Sequence, residues 1–226
     1  MISDTAQQGT GMLAMFVNLD QKWRNDFRIW LKEDMFTARL NIGFQACASY
    51  DLIPEVNTTK GHAQAFLTMY QTASLGVLYS EPYQELRRYR DAKDAEFHNR
   101  FLDVERYTLS WVGPEVSDNT SEFAPIIYVD RFNLTDANNQ VFNQWFVDSY
   151  LSGCEKIKSI IRVRRYTAVE GIPEIFLLHE LKDLAALNDR DWETLRENEA
   201  WQLPKIHGGG SAAYKRVISA TQLFQP

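Results

Sequence analysis

Cysteine is scarce. Cys47 and Cys154 are the only two in 226 residues. That is too few for a disulfide framework, and with no C-x-x-C spacing they are expected to be buried free thiols. Long apolar runs are lacking too. None approaches the ~18–20 residues of a membrane helix, so no membrane partner is expected. Met1–Thr10 shows neither the basic region nor the apolar stretch of a secretory signal, and a cytoplasmic location is the expectation. Basic charge is in deficit: 24 Lys and Arg against 30 Asp and Glu leave a net charge of −6. That balance argues against a nucleic-acid partner. Glu85–Arg90 (ELRRYR), followed by Asp91–Glu96, mixes signs and reads as a salt-bridged helical face.

Chemical motifs are equally thin. No G-x-x-x-x-G-K-[ST] or G-x-G-x-x-G loop occurs. His62, His98, His179 and His207 are scattered, without metal-ligand spacing. Neither a metal nor a cofactor is therefore expected. His207-Gly208-Gly209-Gly210 looks like a lipase oxyanion loop, but the G-x-S-x-G elbow that such a loop serves is missing, so it reads as a turn.

Aromatic residues are plentiful, with 13 Phe, 10 Tyr and 6 Trp, and they reveal an internal repeat. Phe27–Tyr50 resembles Phe142–Tyr166. Trp30 matches Trp145 at an offset of 115, and Tyr50 matches Tyr166 at 116. The register continues with Phe66 on Phe176, Leu67 on Leu177 and Arg106 on Arg216 at 110, and Leu86 on Leu195 at 109. Hydrophobic periodicity predicts strands at Met12–Asn18, Ile42–Leu52, Ala65–Gln71 and Val104–Trp111, a helix over Asp20–Phe36 and a broken helical region over Leu75–Phe101. The second copy predicts strands at Ile126–Phe132, Ile157–Tyr166, Glu174–Leu181 and Ala212–Ala220, with helices near Ala137–Leu151 and Leu184–Glu199. Gly113–Phe123 (GPEVSDNTSEF) reads as a linker between repeats at 11–112 and 124–222. The fold class is α+β: two tandem ferredoxin-like (β-α-β-β-α-β) units, with antiparallel sheets packed as a pseudo-dimeric α/β barrel. The halves could pair within one chain or across a homodimer. The space between the sheets is the natural place for a ligand.

The pattern F-x-x-W-[LF]-x-x-[DE], followed by a strand ending in R-R-Y, resembles the dimeric α/β-barrel superfamily, and within it the EthD-like group. Phe142, Trp145, Phe146, Arg164, Arg165 and Tyr166 carry the likeness, with weaker counterparts at Phe27, Trp30, Leu31 and Tyr50. It covers about Gly11–Gln222. The superfamily holds cofactor-free monooxygenases, muconolactone isomerases, polyketide cyclases, haem enzymes and stress proteins, so the resemblance implies a fold more than a reaction. Relatives often carry a His near the end of the first helix. Here those positions are Met35 and Tyr150, preceded by Asp34 and Ser149.

The copies differ in polarity. Arg162, Arg164 and Arg165 stand against Ala46, Ala48 and Ser49, His179 against Met69, and Glu180 against Tyr70. Strand alternation puts Arg162, Arg164 and Tyr166 on one face, and separates His179 from Glu180. His179 is the candidate general base. Arg164, Tyr166, Tyr128, Arg131 and Glu180 are the candidate substrate-binding residues, with the arginines suited to a carboxylate or phosphate. Tyr128 and Arg131 lie on opposite faces of their strand, so at most one can face the cleft. Trp30 and Trp145 read as packing residues. The expected function is binding of a small apolar or aromatic molecule, with cofactor-free isomerisation, cyclisation or oxygenation as its catalytic form. The rivals are a non-catalytic stress or assembly protein, and a haem protein ligated by His179 or His207.

Overall fold

A computed structural model describes residues 9–56, 63–117, 122–203 and 205–221. His62, and Gln222 at the end of the second expected repeat, lie outside the described residues. Alternation along β1 (Gly11–Asn18) shows how the chain is layered. Leu13 and Val17 pack under helices, whereas Met12, Ala14 and Phe16 point the other way. After β1 the chain forms α1 (Arg24–Trp30), a π turn (Leu31–Met35) and α2 (Phe36–Leu40), then β2 (Phe44–Leu52) and β3 (Phe66–Thr72). Three short helices follow: α3 (Leu75–Tyr79), α4 (Glu81–Arg88) and α5 (Ala92–Arg100). Pro82 in the first turn of α4 and the Asp91 side chain capping α5 account for the breaks. β4 (Leu102–Ser117) completes the first half.

The second half repeats the order with β5 (Ile126–Asn133), α6 (Asp136–Trp145), a π turn (Phe146–Tyr150), α7 (Leu151–Cys154), β6 (Ile160–Glu170) and β7 (Ile175–Leu181). Single-turn 3-10 segments flank α8 (Arg190–Arg196) before β8 (Lys205–Thr221). Each π turn begins immediately after the matched tryptophan, Trp30 or Trp145. π turns are rare and often sit beside functional sites, so their recurrence supports the repeat.

Within the halves the strands run β4-β1-β3-β2 and β8-β5-β7-β6. Their edges then join, β2 to β8 and β4 to β6, into one closed antiparallel barrel. Closure satisfies the edge strands that two separate sheets would leave bare. One chain therefore supplies both halves of a dimeric α/β barrel, with helices covering the outside. The expected linker begins inside β4: Gly113–Ser117 continue the strand, with Val116 opposite Val163 and a register shift near Gly113-Pro114.

The register also corrects the sequence match on the third strands. Phe66 packs in the helix layer and Phe176 in the barrel, so an offset of 110 pairs opposite faces. Tyr50 opposite Leu67 and Tyr166 opposite Phe176 set the offset at 109. A slip of one residue exchanges the faces of a strand. Tyr70, not Met69, is thus the counterpart of His179, and Met15 is the counterpart of Asp130.

Candidate functional site

Alternation on β5, β6 and β7 turns Arg131, Arg162, Arg164, Tyr166 and Glu180 into the barrel, and Tyr128 and His179 out toward the helices. The six candidate residues therefore divide between two places. Inside, Arg162 grips Glu180 through Nε (2.5 Å) and Nη2 (2.7 Å), and Arg164 Nη2 donates to the same carboxylate at 3.1 Å. Burial alone would raise the Glu180 carboxyl; the two guanidinium groups outweigh it and hold the group below its ordinary range. The chain supplies the remaining partners. The Ala124 amide donates to Glu180 at 3.0 Å, Arg162 donates to the Glu122 carbonyl at 3.3 Å, and the Tyr50 hydroxyl donates to the Ala124 carbonyl at 3.0 Å. Arg216 caps the Phe123 carbonyl. This network fastens the connection between the halves across the barrel mouth. Toward the other end Arg131 pairs with Glu105 and lies 4.2 Å from the Phe16 ring. Between them Met12, Phe16, Leu67, Met69, Phe176 and Leu178 leave about 10 Å³, space for little more than one water.

His179 sits in the helix layer of the second half, fully buried. Its Nε2 is 2.9 Å from the Tyr150 hydroxyl, its Nδ1 is 3.3 Å from the Tyr128 carbonyl, and Trp192 packs edge-on at 4.7 Å. Burial lowers its pKa to about 4, with the nearby Asp130 opposing, so the ring is neutral. Asp130 is claimed by Arg196, which donates to both its oxygens at 2.8 and 2.9 Å. Both ring nitrogens are engaged, and Tyr150 and Trp192 occupy the space around them. His179 therefore does not fit the role of a haem ligand. The side chain of His207 lies outside the described residues. Among the described residues no group of three or more His, Cys, Asp or Glu could hold a metal ion, and no helix is long and apolar enough to cross a membrane.

The equivalent layer of the first half is built differently. Met35 stands where Tyr150 closes the second π turn, Tyr70 where His179 stands, and Met15 where Asp130 stands. The acid at that position is gone, and the arginine of this layer is not the counterpart of Arg196 but comes from the first-half helix after the π turn. Arg39, on α2, is only 5% exposed. It lies 4.5 Å from the Tyr70 ring and donates to the Met35 carbonyl at 3.4 Å, with the Met35 sulfur beside it. No acid pairs with it among the described residues, and its Nε has no partner. Arg39 lines a cavity with Met15, Trp30, Met35, Thr68, Tyr70, His98 and Phe101. Met15, His98 and Phe101 are half-buried and form the rim; the others are buried. The free space is about 10 Å³, so entry of a ligand requires the flexible Met15 and Met35 to swing aside. Burial pushes the Tyr70 hydroxyl up, and it stays protonated.

Sequence reasoning passed over Arg39 and weighed His98 only as a metal ligand. Signals existed for both. Arg39 has only Met35, Phe36, Ile42 and Gly43 at helical neighbour spacing, and so no local acid, while His98 follows Asp94 by one helical turn.

No family model matches this sequence, and no curated protein matches it. Solved structures do. An anthrone oxidase-like protein superposes with a TM-score of 0.63 at 10% identity, over 96% of this chain and 95% of that one. A candidate monooxygenase from Lactobacillus acidophilus NCFM gives 0.60 at 9% identity, over 94% and 97%. A mutant chlorite dismutase from Candidatus Nitrospira defluvii gives 0.61 at 8%, over 94% and 93%. At such identities the likeness concerns the fold alone, and that fold is the dimeric α/β barrel.

Proposed function

We propose that this protein binds a small, flat apolar or aromatic molecule between the helices and the sheet of its first half, with an anionic or carbonyl oxygen held by Arg39. The observation that carries this reading is a buried guanidinium with no carboxylate partner among the described residues, lining an apolar and aromatic cavity. The second half carries the contrast, because there the half-buried Arg196, on α8, has its own acid, Asp130. Enclosing an unpaired charge costs several kcal/mol, and a ligand oxygen would recover part of that cost. Trp30 and Tyr70 offer aromatic faces. The names of the neighbours, one anthrone oxidase-like and one a candidate monooxygenase, are in keeping with an aromatic ligand. On this reading the arginines inside the barrel, and His179 with Tyr128, hold the scaffold.

The test is calorimetric titration with 1-naphthoate, a flat aromatic anion. Arg39→Met should weaken binding by about 10- to 100-fold, the loss of a charge-assisted contact of ~1.5–3 kcal/mol. Equal affinity in the variant, or no binding by the unaltered protein, refutes the reading. A non-catalytic assembly role is favoured by the packed barrel interior and predicts that second result.

A further inference from the structure

We infer that His98, backed by Asp94, is a general base facing this cavity, so that the bound molecule is a carbonyl compound with an acidic C–H beside the carbonyl. The inference rests on the binding site proposed above, and it adds an activity to it. α5 places the two residues one turn apart. His98 Nδ1 hydrogen-bonds to the Asp94 backbone carbonyl at 2.9 Å, and Asp94 Oδ1 lies 2.8 Å from it as a charge contact without hydrogen-bond geometry. Both atoms are acceptors, so Nδ1 carries the proton and the lone pair of the neutral ring is on Nε2. With Nδ1 committed, Nε2 is the nitrogen left to meet a ligand. Trp30 holds the ring edge-on at 6.0 Å and Phe101 packs at 5.2 Å, which fixes its plane. Asp94 is itself held: its amide is capped by Asp91 at 2.8 Å, and Arg90 lies 3.7 Å from its other oxygen.

His98 and Arg39 line the same cavity, a base and a fixed positive charge. Together they supply what enolisation needs. Nε2 takes the proton from the carbon next to the carbonyl. The C–H electron pair becomes the new C=C bond, and the carbonyl π pair moves to oxygen, where Arg39 stabilises the enolate. Return of the proton from Nε2 to carbon restores the ring. No oxidant or reductant is consumed. The first-half π turn ends on Met35, which cannot take a proton; the base comes from α5.

The experiment follows hydrogen–deuterium exchange at C1 of 2-tetralone in D₂O by NMR. The unaltered protein should accelerate exchange over buffer. His98→Gln should lower the protein-dependent rate by at least about 10²-fold, and Asp94→Asn by at least about tenfold. Both variants are also titrated with 1-naphthoate to verify a formed cavity. A ¹⁵N–¹H correlation spectrum should show the Nδ1–H tautomer for His98. The inference is overturned if His98→Gln exchanges at the unaltered rate, or if His98 carries its proton on Nε2. It is overturned alone if the unaltered protein binds 1-naphthoate through Arg39 yet exchanges 2-tetralone no faster than buffer. Failure to bind 1-naphthoate at all removes the binding site and the inference together.

Discussion

Replacement by methionine should destabilise the protein at the half-buried Arg196 and leave it unchanged or more stable at the buried Arg39. Arg196 donates to both oxygens of the buried Asp130, at 2.8 and 2.9 Å, and lies 4.1 Å from the Trp201 ring. Arg196→Met strands a buried carboxylate, and breaking such a pair costs about 3–5 kcal/mol. For a chain of this length 1 kcal/mol shifts Tm by roughly 2–4 °C, so a fall of about 6–20 °C is expected. Arg39 has no carboxylate partner to strand among the described residues. Arg39→Met gives up a cation–π contact with Tyr70 at 4.5 Å, worth at most about 2 kcal/mol. It also relieves a desolvated charge that costs several kcal/mol, and Met packs readily beside Met35 and Tyr70. The balance is a neutral effect or a gain of about 1–2 kcal/mol, a Tm unchanged or raised by up to about 8 °C. Thermal unfolding followed by circular dichroism at pH 7, with urea titration as a check on m, measures both. If Arg39→Met falls as far as Arg196→Met, Arg39 is already satisfied by the chain, and the argument for an external anion collapses.

Two further outcomes follow from the buried groups. His179 has its pKa lowered from 6.5 to about 4 by burial; below pH 6.5 the unfolded chain binds a proton that the folded one refuses. Stability should therefore fall as pH drops from 6.5 toward 4, by roughly 3 kcal/mol from this group, and level off below. Urea titrations at pH 7.5 and 5 should show a smaller difference in His179→Gln, and an identical difference would place the titration elsewhere. Glu180→Gln leaves Arg162 and Arg164 buried beside a neutral amide, which should cost about 3–5 kcal/mol. It should also speed hydrogen exchange at the Ala124 amide, which donates to Glu180; unchanged protection there would deny the network its fastening role.

Much of the architecture was legible because aromatic anchors recur with the repeat. Trp30 and Trp145 marked the repeat, which in each half runs into a π turn, and alternation on β6 grouped Arg162, Arg164 and Tyr166 on the face that lines the barrel. What escaped was anything set by pairing between strands. The offset of 110 on the third strands placed Phe66 with Phe176, whereas the ladder requires 109, and that one residue exchanges inside for outside. The strand through Gly113–Ser117 was hidden by turn-forming residues that a bulge accommodates. The cavity was harder still to foresee. Its character comes from Met15 and Met35 standing where the other half has Asp130 and Tyr150, residues of unremarkable composition until the two halves are superposed.

The most direct measurement is a crystal structure of the protein with 1-naphthoate. The account predicts the carboxylate on Arg39, the rings between Trp30 and Tyr70, and Met15 and Met35 displaced to admit them. Density for the ligand inside the barrel against Arg131 or Arg164, or in the second half against His179, would contradict it.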